Sequence, residues 1–246
     1  MRELIYLSER KLAQFRENRS PRRRWKRRGS ELGATAPLGL GELQFTLADA
    51  PQGHPNLERV LRHLESLTPK PAEYSEASPA AGQWVKFKTR MNYQLVRPTT
   101  DDRDDNGELI DYPVGPAAVV FWEPPSQLES LSSTKPRLVL HGSPEHFLGL
   151  AAMTPEPTDL SVSRSYLPGF MDLLYGNRPR NGEDPGRALG DLLHQLDGPF
   201  PPHAAGLFVG YARVTFGLQV PFSLGGRSTT ERFVVASPLY VEHAVA

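Results

Sequence analysis

The chain has 246 residues, 39% apolar and 23% charged, which is enough to bury a full core and is not the composition of a disordered chain. Lys plus Arg equals Asp plus Glu at 28 each, so net charge selects no class of partner. With no cysteine at all, disulfides, thiolate nucleophiles and zinc–thiolate sites are excluded. The apolar run Leu4–Leu7 is too short for a signal peptide, and no stretch approaches the ~20 apolar residues of a membrane helix, so a cytoplasmic protein is expected.

In chain order, Leu4-Ile5-Tyr6-Leu7 predicts a short strand, and Ser8 caps a short helix with Glu9 in its first turn. Residues 16–30 form an arginine-rich loop. A strand is predicted near 38–48, where Leu43, Phe45 and Leu47 alternate with polar residues. Leu57, Val60, Leu61, Leu64 and Leu67 make one apolar stripe, so residues 56–67 predict an amphipathic helix ended by Pro69 and Pro71. From Trp84 to Val96 the chain alternates, with Val85, Phe87 and Met91 on one face and Lys86, Lys88 and Arg90 on the other. An acidic loop over 99–113 precedes the continuous apolar run Ala117–Trp122, which predicts a buried strand.

In the second half, Arg137–His141 predicts a strand, and Gly142-Ser143-Pro144-Glu145 a helix start running through Leu150. Leu167–Tyr175 and Ala188–Leu196 predict helices; Leu207–Val220 and Arg232–Ala236 predict strands, after which Ser237-Pro238 repeats the Ser-Pro junction. These elements make a mixed α/β (or α+β) domain, with a sheet of about six to eight strands covered by about four or five helices. The expectation is one domain over 1–246, with a two-lobed split near 98–116 as the alternative.

Three strands end in a serine that can cap the next element, at Ser8, Ser143 and Ser237. Free amides at strand-to-helix junctions attract anions, and strand ends gathered at one sheet edge would surround a ligand. Ser8, His141, Gly142, Ser143, His146 and Ser237 are therefore the candidate ligand-binding residues, although Ser-Pro also starts helices where nothing binds. A second candidate is the basic run Arg22, Arg23, Arg24, Trp25, Lys26, Arg27 and Arg28, whose charges suit a phosphate backbone and whose indole can stack on a base. A solvated loop explains the same run. Asp102-Arg103-Asp104-Asp105-Asn106-Gly107 partly fits a calcium loop, but Pro113 stands where the twelfth-position glutamate belongs, and an Asn-Gly hairpin accounts for it more simply. No phosphate loop, nucleophile elbow or metalloprotease helix is present, and no metal or cofactor is expected.

The stretches Arg2–Ser8, Leu140–His146 and Ala236–Glu242, in that order, resemble a domain-of-unknown-function family found mostly in actinobacteria. Related proteins of that family are thought to accompany multi-component bacterial conflict systems. The resemblance implies a cytoplasmic accessory or sensor protein and brings no catalytic or ligand residues with it. The expected function is a non-catalytic sensor or adaptor recognising a protein partner encoded nearby or an anionic small molecule. The alternatives are nucleic-acid binding through Arg22–Arg28, and an enzyme whose site is assembled from distant residues.

Overall fold

The computed structural model describes residues 3–17, 55–76, 79–103, 109–125, 135–148, 157–162, 167–175, 185–200, 202–224 and 227–244. The predicted strand near 38–48 and the arginine-rich residues 22–28 lie outside them. The strands are β1 (Glu3–Leu7), β2 (Ala72–Glu73), β3 (Trp84–Arg103), β4 (Leu109–Pro113), β5 (Ala118–Trp122), β6 (Arg137–Gly142), β7 (Thr158–Ser161), β8 (Gly206–Leu224) and β9 (Arg227–His243). The helices are α1 (Glu9–Glu17), α2 (Pro55–Glu65), α3 (Leu167–Tyr175) and α4 (Pro185–Asp197). The fold is mixed α/β as expected, with nine described strands, one above the predicted range: β2, β4 and β7 lie outside the predicted strands, and residues 99–103 and 109–113, expected in a loop, pair as strands, while 104–108 lie outside the described residues.

All nine strands belong to one sheet. Its pairings return on themselves: β3 pairs with β8, β8 with β9, β9 with β6, β6 with β5, and β5 again with β3. Five strands thus form a closed ring. Alternation along each strand sends one set of side chains inward. Val85, Phe87, Met91, Val119, Phe121, Leu138, Leu140, Phe208, Ala212, Val214, Val234 and Ala236 fill the interior, joined by Ile5 and Tyr6 of β1. The opposite set on β5, β6 and β9 (Val120, Trp122, Val139, Phe233, Val235) packs under α3 and α4, against Phe170, Leu189, Leu192 and Leu193. Coverage of both faces is why β5 and the first part of β6 read as unbroken apolar runs.

α1 and α2 form a smaller layer, in which Leu12, Leu57, Val60 and Leu64 pack on Leu7, Leu239 and Tyr240. The stripe predicted for 56–67 is therefore the buried face of α2. β3 continues past Val96 because it changes partners along its length. Residues 84–91 pair with β8, 92–96 with β5, 96–99 with β7 and 99–103 with β4.

Two predicted junctions are different in the structure. The helix expected from Ser143 to Leu150 is a single 3-10 turn, Pro144–His146, after which Phe147 is extended at φ −86° and ψ 119°. Tertiary pairing overrides the local start signal: Phe147 bridges Tyr6, and the Leu148 amide donates to the Ile5 carbonyl over 2.7 Å, so the chain lies along the second edge of β1. Ser237-Pro238 begins no helix and sits inside β9. The proline is tolerated because β9 exchanges neighbours there. Residues 233–236 pair with β6, 240–243 pair with β1, and β8 holds the other edge throughout. A bulge at Leu239 marks the exchange, with Ala212 facing Pro238 and Tyr211 facing Tyr240.

Candidate functional site

The exchange of neighbours along β9 builds the site. β6 runs parallel to β9 and β1 antiparallel, both on the edge that β8 leaves free. Their C-terminal ends therefore approach each other head-on near Ser237–Leu239. Ser8 follows one end and Ser143 the other; Ser8 is hydrogen-bonded to Leu239, and Lys11 three residues on reaches Ser237. The two strand ends are opposed along one edge of β9 and do not form a row of parallel ends.

Ser8 is buried and caps α1: its Oγ accepts from the Lys11 amide at 3.4 Å and its carbonyl from the Leu12 amide at 3.0 Å. The Ser8 amide donates to the Leu239 carbonyl over 2.8 Å, which fixes the start of α1 beside the bulge. From that first turn Lys11 reaches back across the gap. Its Nζ lies 2.6 Å from Ser237 Oγ and 2.7 Å from the Pro238 carbonyl oxygen. Burial, reinforced by the Arg213 charge, pushes the Lys11 ammonium down to about 7. At neutral pH a large fraction of this amine is unprotonated. Ser237 itself stays partly exposed.

His141 is buried, and its Nε2 lies 3.1 Å from Thr215 Oγ1 on β8. Desolvation, followed by the Lys11 charge, pushes it down to about 3, so the ring is neutral. His146 stands at the rim, 3.5 Å from Glu145 Oε1, its ring edge-on to Tyr6 with centroids 5.9 Å apart. Partial burial, the leading cause, lowers its pKa. Ser143 makes no side-chain cap, but its backbone hydrogen-bonds the Tyr6 hydroxyl, which burial holds well above the usual phenol range. Gly142 is where it is for a steric reason: a Cβ there would collide with the Tyr6 ring. His141 and Gly142 thus shape and seat the junction, while Ser237 and His146 are half-buried and Ser143 is exposed.

Lys11, which holds the junction together, was not among the sequence candidates. A signal was present. Cations are disfavoured in the first turn of a helix, where the macrodipole is positive, so Arg10 and Lys11, two and three residues after the Ser8 cap, are an anomaly asking for a partner. Glu123, just beyond β5, was missed as well. It is buried and accepts from Tyr74 Oη, Thr89 Oγ1, Lys135 Nζ at 3.1 Å and the Leu138 amide at 2.7 Å. Three of these donors converge on Oε1 and the Leu138 amide reaches Oε2, so Glu123 clasps Tyr74, just after β2, to β3 and β6.

Among the described residues no cluster of three or more His, Asp or Glu is arranged to hold a metal ion, and no helix is long and apolar enough to cross a membrane. Set against known proteins, the chain finds no match among family models, curated proteins or solved structures.

Proposed function

We propose that the chain is a ligand-sensing protein of a bacterial conflict-type system, and that its ligand is a small anion held where β1 and β6 meet. The observation that carries this reading is Lys11 Nζ, delivered by the first turn of α1, which Ser8 caps, to Ser237 and Pro238. An anion placed there meets the positive end of α1 and stabilises the charged form of an amine that burial otherwise deprotonates. Binding and proton uptake are then linked, so affinity rises as pH falls through the range near 7 where Lys11 titrates. The conflict-system setting rests on the three resembling stretches, two of which end at this junction.

Thermal unfolding of the full chain with phosphate, nucleotides and short carboxylates, at pH 6.5 and 8.5, tests the reading. A ligand at about 100 times its Kd adds about 2.7 kcal/mol. The stabilisation is expected to be larger at pH 6.5 and absent in Lys11→Met. If no anion raises the melting temperature, the small-anion reading is wrong.

A further inference from the structure

We infer that Ser237 is a nucleophile and Lys11 its general base, so that the junction reacts with acyl esters or similarly activated acyl compounds. Such chemistry goes beyond anion recognition, since it concerns what the junction does to a bound molecule.

The hydrogen bonds of Lys11 set the geometry. A neutral lysine amine has two N–H donors and one lone pair. Lys11 Nζ donates to Ser237 Oγ at 2.6 Å and to the Pro238 carbonyl at 2.7 Å; at the same separation the lone pair of the neutral amine takes the Ser237 hydroxyl proton once the donor and acceptor roles reverse. The backbone around the pair is held firmly. Ser237 lies between β6 and β8 in register, with Ala236 paired to Leu140 and Ser237 itself to Arg213, and the Ser8 cap fixes the turn that carries Lys11. A serine hydroxyl is a poor nucleophile at neutral pH and needs a base within hydrogen-bond reach. For Ser237 the base in contact is the Lys11 amine. Burial lowers that amine to about 7, which places its base form within the working range of pH. The charged and titratable groups around it act in the same setting: Arg213 on β8 and neutral His141 on β6, Glu9 and Arg10 on α1, Glu145 and His146 on the 3-10 turn.

These positions define the reaction. Ser237 Oγ bonds to the acyl carbon as its proton passes to Lys11 Nζ. The tetrahedral adduct expels an alcohol or amine, which leaves with that proton. Water then adds to the acyl-serine, again losing a proton to Lys11. Release of the carboxylic acid returns the proton to Ser237. The N-terminus of α1, beside Leu239, supplies a positive field for the charge that gathers on the acyl oxygen.

Incubating the full chain with an alkyl fluorophosphonate and mapping adducts by mass spectrometry tests the inference. The expected result is one phosphonyl group on Ser237 with loss of fluoride, at a rate that climbs about tenfold per pH unit below 7 and levels off above it. Ser237→Ala and Lys11→Met should abolish the adduct. Lys11→Arg, which keeps a cation but offers no lone pair, should abolish it too. Melting curves of each variant show whether it folds. An unmodified Ser237 in folded wild-type protein overturns the inference, as does labelling that persists in folded Lys11→Met. The outcome separates from the anion reading: melting shifts by unreactive phosphate without labelling leave that reading standing and remove this one.

Discussion

Lys11 and His141 are both buried bases, and their shifts act on stability in opposite parts of the pH scale. Native Lys11 gives up its proton near pH 7, whereas the unfolded chain holds it to about 10.5. Over that window the unfolded state binds more protons, so stability rises with pH. His141 stays neutral in the native state down to about 3, while the unfolded chain takes up a proton below about 6.5. Stability is therefore lost as pH falls from 6.5 toward 3. Urea unfolding at pH 5, 7 and 9 measures both slopes. Lys11→Met is expected to flatten the alkaline rise and to leave the acid loss in place. An unfolding free energy that rises equally from pH 7 to 9 in wild type and variant contradicts the Lys11 assignment.

At the scale of elements, β1 is a short strand held from two sides, by β9 along one edge and by Phe147 and Leu148 along the other. Tyr6 is what seats it. The ring lies over Gly142 and packs edge-on to Phe121, with centroids 6.2 Å apart. Gly142→Ala should therefore displace the end of β1 from the end of β6 and cost about 1–3 kcal/mol of stability. Combining it with Tyr6→Leu, which removes the ring that the new methyl strikes, should give less than the sum of the two single losses, by about 1 kcal/mol. Additive losses in a double-mutant cycle would show that the collision is relieved elsewhere. The same elements explain which parts of the fold were legible. The stripe of α2 and the alternation of β3 up to Met91 depend on neighbours within one element, so local pattern was enough. The 3-10 turn after Ser143 was not legible, since the bond from the Leu148 amide to Ile5 spans more than a hundred residues of chain and leaves no local trace.

For the whole molecule, closure of the ring divides the strands into two classes. β5, β6 and residues 233–236 of β9 have both edges paired and both faces covered by the two larger cores. Among the described pairings β2, β4 and β7 join only β3. Amide hydrogen exchange should follow this division, with the slowest amides in β5, β6 and 233–236 opening only by global unfolding. The amides of β2, β4 and β7 should exchange by smaller local openings. Uniform protection across the sheet would show that the ring is not the stable unit.

Composition and periodicity alone were sufficient for the mixed α/β class, for the helices α1 to α4 and for the strands with one or two apolar faces, because burial imposes those patterns locally. The capping they predicted holds at Ser8, whereas Ser143 makes no side-chain cap and Ser237-Pro238 starts no helix. Only the tertiary structure decided that β9 runs straight through Ser237-Pro238 and that β1 and β6 meet head-on along one of its edges. That arrangement, and with it the contact of Lys11 with Ser237, depends on which strands pair. Pairing is a property of edges far apart in the chain, and no single stretch of sequence encodes both partners.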